Sequence, residues 1–138
     1  MDIKSLEWSD QFSVDNKDLD LQHQQLFSLI NELVQLEFGN SQKNRIKSAL
    51  DSLMDYARRH FEDEEKILLE CEYPEFIEHK NEHEEFRKVI TRNYDEFLKG
   101  NESILEKTIT YLTGWIIYHI LKIDKKYRET IKHRKGNK

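Results

Sequence analysis

The sequence has one cysteine, one proline and four glycines in 138 residues, and no apolar run long enough to cross a bilayer. The single thiol, Cys71, excludes an intramolecular disulfide and a thiolate zinc cage, which fits a reducing compartment. No apolar signal core stands near the N-terminus, so the cytoplasm is the expected location. Scarce proline and glycine, with 36% charged and 37% hydrophobic residues, favour long amphipathic helices over strands. The net charge of -5 argues against a nucleic-acid partner. Residues 122–138 are nevertheless basic and are expected to form a solvated tail. A chain of this length builds one domain around one core.

The apolar positions recur at helical spacing in four segments. Leu19, Leu26, Ile30, Leu33 and Val34 make the first stripe, with His23 set inside it and Gly39 and Asn40 as the stop. Ser41 is placed to cap a second helix, whose stripe runs Ile46, Leu50, Leu53, Ala57, His60, Glu64, Ile67 and Cys71. Pro74 suits the first turn of a third, with Phe76, His79, His83, Phe86, Ile90 and Phe97 on one face. After Gly100 and Asn101, the fourth carries Leu105, Ile109, Leu112, Ile116, His119 and Ile123. Short turns between four helices predict an all-α, antiparallel up-down-up-down bundle over residues 18–121. Residues 1–17 show no period, but Trp8, Phe12 and Val14 are too apolar for a free end and are read as an arm packed across the bundle.

Histidines and carboxylates are the second pattern. His60 with Glu64 and His79 with His83 lie four apart, on single helix faces. His119 and Asp124 lie five apart, which leaves the end of the fourth helix open. Around Gly39, His23 stands sixteen residues before and His60 twenty-one after; around Gly100, His83 stands seventeen before and His119 nineteen after. At about 1.5 Å per residue these are similar heights in neighbouring helices. A lone histidine on an apolar face is ordinarily a satisfied core residue. Five imidazoles and two carboxylates buried at one level are different, because without an ion they leave costly unpaired groups in the core. Most of the acidic residues between Glu62 and Glu85 are expected to face solvent, only the one at metal spacing being a site candidate, and His133 lies outside the pattern.

The pattern H, HxxxE, HxxxH and HxxxxD resembles that of the hemerythrin family, specifically its bacterial single-domain members. It is matched at His23, His60 with Glu64, His79 with His83, and His119 with Asp124. The flanking similarities are Trp8, the DLQH ending at His23, HFEDEE from His60, the YP at Tyr73 and Pro74, and WIIYHI from Trp115. Leu68 departs from the family, where many relatives have methionine. The resemblance implies two irons bridged by an oxo or hydroxo group, with His79, His83 and His119 on one, His23 and His60 on the other, and Glu64 and Asp124 bridging. The five imidazoles, two bridging carboxylates and oxygen bridge then leave one open position, on the second iron.

Reversible dioxygen binding, as a carrier or store rather than an enzyme, is the function this implies. Leu26, Phe61 and Trp115 are candidates for the wall of an oxygen pocket. An oxygen or redox sensor, a peroxide- or NO-handling enzyme and a zinc-binding structural bundle are the alternatives. The protein client and oligomeric state are not legible.

Overall fold

The computed structural model describes residues 5–39 and 42–136. The Asn40 stop and the Ser41 cap expected from the sequence lie outside them. The elements are a short 3-10 turn at Asp10–Phe12, then α1 (Lys17–Phe38), α2 (Lys43–Glu70), α3 (Phe76–Leu98), α4 (Ile104–Tyr118), a π-helical segment (His119–Asp124) and α5 (Lys125–Gly136). Each of α1 to α4 packs on its sequence neighbour, and α1 closes the ring against α4. This is the antiparallel four-helix bundle expected. No helix among the described residues is long and apolar enough to cross a membrane.

Local chemistry fixes the helix ends. The Asn16 side chain accepts a hydrogen bond from the Leu19 N–H and caps α1. α2 and α3 end alike: Tyr73 N–H donates to Leu68 O and Glu72 N–H to Leu69 O, while Asn101 N–H donates to Glu96 O and Gly100 N–H to Phe97 O. This double bond to the last turn needs a left-handed residue, supplied at the second site by Gly100 (φ 100°) and at the first, against its preference, by Glu72 (φ 56°). Pro74 therefore stands in the turn before α3 and not in its first turn, because Glu75 caps the helix and Phe76 opens it.

The arm is packed as expected. Phe12 and Val14 are buried, and Trp8, Phe12 and Phe27 form an aromatic cluster with centroids 5.2–5.7 Å apart. The Asn31 side chain grips the arm's backbone, accepting from Leu6 N–H at 2.7 Å and donating to Leu6 O at 2.9 Å. Asp20 accepts from the Ser13 hydroxyl and the Val14 N–H.

Most of the expected stripes are buried, with instructive slips at their ends. Ile67, Cys71 and Phe76 are only half-buried, and Leu68 is fully buried in their place. In the fourth helix Ile120 replaces Ile123 as the core residue. Ile120 keeps ordinary helical spacing from Ile116, while the wider turn of the π-helical segment moves the next inward position from 123 to 124.

The reading of residues 122–138 as a solvated tail is corrected. The chain runs on without a break from α4 through the π segment into α5, so the bundle does not end at 121. Tyr127 and Ile131 are buried in a second apolar cluster with Val14, Leu19, Leu68 and Tyr73, apart from the main core between the helices. Arg128 pairs with Asp15 of the arm. Lys126 and Lys132 stand exposed on its outer face while Tyr127 and Ile131 close the bundle, a helical period that the density of charge concealed.

Ile131→Ala is expected to lower the free energy of unfolding by about 2–5 kcal/mol, as for a core isoleucine. Urea denaturation checks this. A change below about 0.5 kcal/mol, typical of a surface position, would restore the tail.

Candidate metal centre

Seven polar side chains with almost no exposed surface lie between the two apolar clusters. His23 comes from α1, His60 and Glu64 from α2, His79 and His83 from α3, and His119 and Asp124 from the π segment; none exceeds 2% exposure. The five-residue interval from His119 to Asp124 is accommodated because a π turn closes after five residues, so both side chains point the same way. In an α-helix that spacing would set them well apart in azimuth.

All five imidazoles present Nε2 to the two carboxylates. Glu64 Oε1 lies 2.6 Å from His79 and 3.1 Å from His83, and Glu64 Oε2 lies 3.4 Å from His60 and 3.5 Å from His23. Asp124 Oδ1 is 3.0 Å from His119 and 3.1 Å from His79, with Oδ2 3.1 Å from His23. His83 and His119 face each other Nε2 to Nε2 at 3.2 Å. Glu64, His79, His83 and His119 form one group able to hold a metal ion, and His23, His60 and Glu64 form another, with donor atoms in each within 4.8 Å. Glu64 belongs to both.

The close approaches are not all hydrogen bonds. Both Asp124 oxygens and the His23 Nε2 lack a hydrogen-bond partner although they come within 3.1 Å of one another and of other imidazoles. Donor atoms this near, buried and misaligned with each other, fit lone pairs directed at a common point between them. The residues present therefore suit a cation.

Charge is balanced within the cluster. Burial opposes ionisation of Glu64 and Asp124, yet the surrounding imidazoles hold both carboxyls well below the usual range. Burial also works against protonation of His23 and His79, but the facing Asp124 and Glu64 carboxylates prevail and raise them to about 9 and about 10. His60, where burial dominates, falls to about 3.

A ring of supporting contacts was not foreseen. His60 Nδ1 meets Gln22 Oε1 at 2.7 Å, and His83 Nδ1 meets Glu65 Oε2 at 2.8 Å, so two imidazoles are fixed in orientation from behind. Glu65 is thus a second acid of its run, besides Glu64, with a part in the site. Tyr127, fully buried, donates its hydroxyl to Glu64 Oε2 at 3.0 Å. The readable signals were Gln22 directly before His23 and Tyr127 three residues beyond Asp124. Of the three pocket candidates, Leu26 and Phe61 are buried and Trp115 is half-buried. Phe61 stacks on His83 at 3.9 Å and Trp115 on His119 at 4.2 Å.

Comparison with known proteins agrees with this arrangement. Residues 14–131 match the model of the hemerythrin HHE cation binding domain. A bacteriohemerythrin of Clostridium acetobutylicum is 31% identical over 124 residues, covering 87% of this chain and 96% of its own. A hemerythrin-like protein of Naegleria gruberi is 30% identical, covering 88% and 89%. The crystal structure of wild-type hemerythrin superposes with a TM-score of 0.83 at 27% identity, covering 91% of this chain and 97% of that one. With its matched domain, its fold and a cluster of buried imidazoles and carboxylates at the centre of the bundle, the chain belongs to the hemerythrin family.

Proposed function

We propose that this chain binds dioxygen reversibly at a pair of non-haem irons and serves as a carrier or store rather than an enzyme. The observation that carries this reading is the sharing of Glu64 between two adjacent donor groups, which suits two ions and exceeds what one needs. His79, His83 and His119 would hold one iron and His23 and His60 the other, with Glu64 and Asp124 spanning both. When bound, two ferrous ions supply the electrons that dioxygen takes up and gives back.

The chain's own residues set the terms for that chemistry. Neutral imidazoles outnumber carboxylates five to two, unlike the glutamate-rich sites of related bundles, and so favour binding over oxidation of a substrate. Three imidazoles against two leave the His23–His60 side with fewer protein donors, so dioxygen is assigned there. Leu26 lies one turn beyond His23 on α1, in the apolar core that also holds Phe61. Leu26, Phe61 and Trp115 would keep water from the bound gas. Gln22 and Glu65 keep the His60 and His83 rings in register, and Tyr127 steadies Glu64.

Protons and metal compete for the same atoms. With folded values of about 9 and 10 against an ordinary 6.5, His23 and His79 carry protons at neutral pH in the metal-free chain. Their contribution to stability is complete below pH 6.5 and is lost as pH rises through 9 and 10. Metal substitutes for those protons, so loading stabilises most where they have left.

The reading is tested by a visible spectrum of the iron-loaded, reduced protein cycled between air and argon. A band that appears with oxygen and vanishes on its removal, over repeated cycles, is expected; turnover of an added reductant instead would mark an enzyme. Leu26→Trp is expected to weaken oxygen binding several-fold with iron content retained, and unchanged binding would move the pocket elsewhere. Glu64→Ala should lose both irons together by elemental analysis, whereas retention of one at full occupancy would deny the shared role. The difference in melting temperature between loaded and metal-free protein is expected to be larger at pH 9 than at pH 6.5. A gap that narrows with rising pH would contradict proton displacement from His23 and His79.

A further inference from the structure

Iron has to reach a centre whose donor side chains have almost no exposed surface. Two surface clefts end on a histidine of the cluster. One, of about 350 Å³, opens between the start of α3 and the junction with α5; Glu75, Glu78, Asn81 and Glu82 line it, Lys126 stands at its edge, and His79 is also part of its wall. The other, of about 370 Å³, is lined by Gln22, Arg59, His60, Glu62 and Asp63, among others.

The two differ in charge and in how their inner ends are closed. In the second, Arg59 stands beside two acids, of which Glu62 is already paired with Arg58 at 3.2 Å, and the histidine is engaged: His60 Nδ1 meets Gln22, whose amide donates to Asp63 at 3.0 Å. In the first, three carboxylates face one lysine, which pairs with Glu75 at 3.8 Å. Glu78 and Glu82 make no ion pair among the described residues. His79, 2% exposed, turns Nε2 to Glu64 and Asp124, while its Nδ1, on the other edge of the ring, has no partner. A single ring thus joins an acidic cleft to both shared carboxylates.

We propose that the cleft of Glu75, Glu78 and Glu82 is the entry by which a ferrous ion reaches the centre, passing from these carboxylates past His79 to Glu64 and Asp124. This rests on the metal-binding reading above and adds the route. Hard oxygen donors suit a hydrated divalent cation, amide and carboxylates replace its water in stages, and imidazole takes it at the end. A cleft of one sign concentrates counter-ions and raises the rate of association, and the effect fades with ionic strength. Lys126 competes with the arriving ion for Glu75, so it restrains entry.

The test is the rate at which metal-free protein takes up ferrous iron under argon, followed by quenching of Trp115, which stacks on His119, and checked by a ferrous chelator. Glu78→Gln combined with Glu82→Gln is expected to slow uptake about tenfold at low salt and to remove most of its salt dependence, with final iron content unchanged. Lys126→Gln should accelerate uptake, and Glu62→Gln, in the other cleft, should leave it as in the parent. Wild-type rates in the double variant, or equal slowing in Glu62→Gln, would overturn the route alone. A parent chain that takes up no iron would overturn the metal-binding reading and the route with it.

Discussion

Glu64 is a carboxylate with no exposed surface, set where four helices meet, and its charge has to be answered from all sides. Left alone, such a charge would cost at least several kcal/mol. His60 comes from its own helix, His23 from α1, His79 and His83 from α3, and the Tyr127 hydroxyl from α5. The need to bring these groups to one point fixes the rotation of each helix about its axis more tightly than the apolar stripes do. A leucine can slide along its neighbour with little loss, but an imidazole nitrogen cannot leave a buried carboxylate oxygen.

The same demand accounts for the departure from regular helix. His119 and Asp124 are both required inside, and an α-helix with the two set five positions apart would bury one and expose the other. The π segment absorbs the extra residue at the expense of regular hydrogen bonding, and it does so inside the core, where packing can hold it. Its consequence reaches further along the chain. The changed phase puts Tyr127 over Glu64 and Ile131 against Leu19 and Leu68, so the geometry at the cluster and the closure of the bundle end have one origin.

Period-3.6 patterning made the four helices and the antiparallel order readable, because Leu26, Ile30, Leu50, Leu53, Ile90 and Ile109 repeat without interruption. The five histidines and two carboxylates could be read from spacing and turn distances, and the structure brings all seven together. What stayed hidden was of two kinds. The π turn has no composition signal of its own; the five-residue interval pointed to an irregularity without giving its form. Gln22, Glu65 and Tyr127 act through contacts between helices, and nothing in their local sequence separates a glutamate behind His83 from the solvent-facing acids beside it. The fifth helix was obscured by its charge, since Lys125, Lys126, Arg128 and Lys132 dominate a segment in which, among the described side chains, Tyr127 and Ile131 are the buried ones.

The proposed function assigns the buried acid common to two groups of imidazoles to two ions placed side by side. Elemental analysis of the parent protein, produced with ample iron and freed of loosely bound metal, measures this most directly. The account predicts two irons per chain; a stable value of one, or zinc in place of iron, would contradict it.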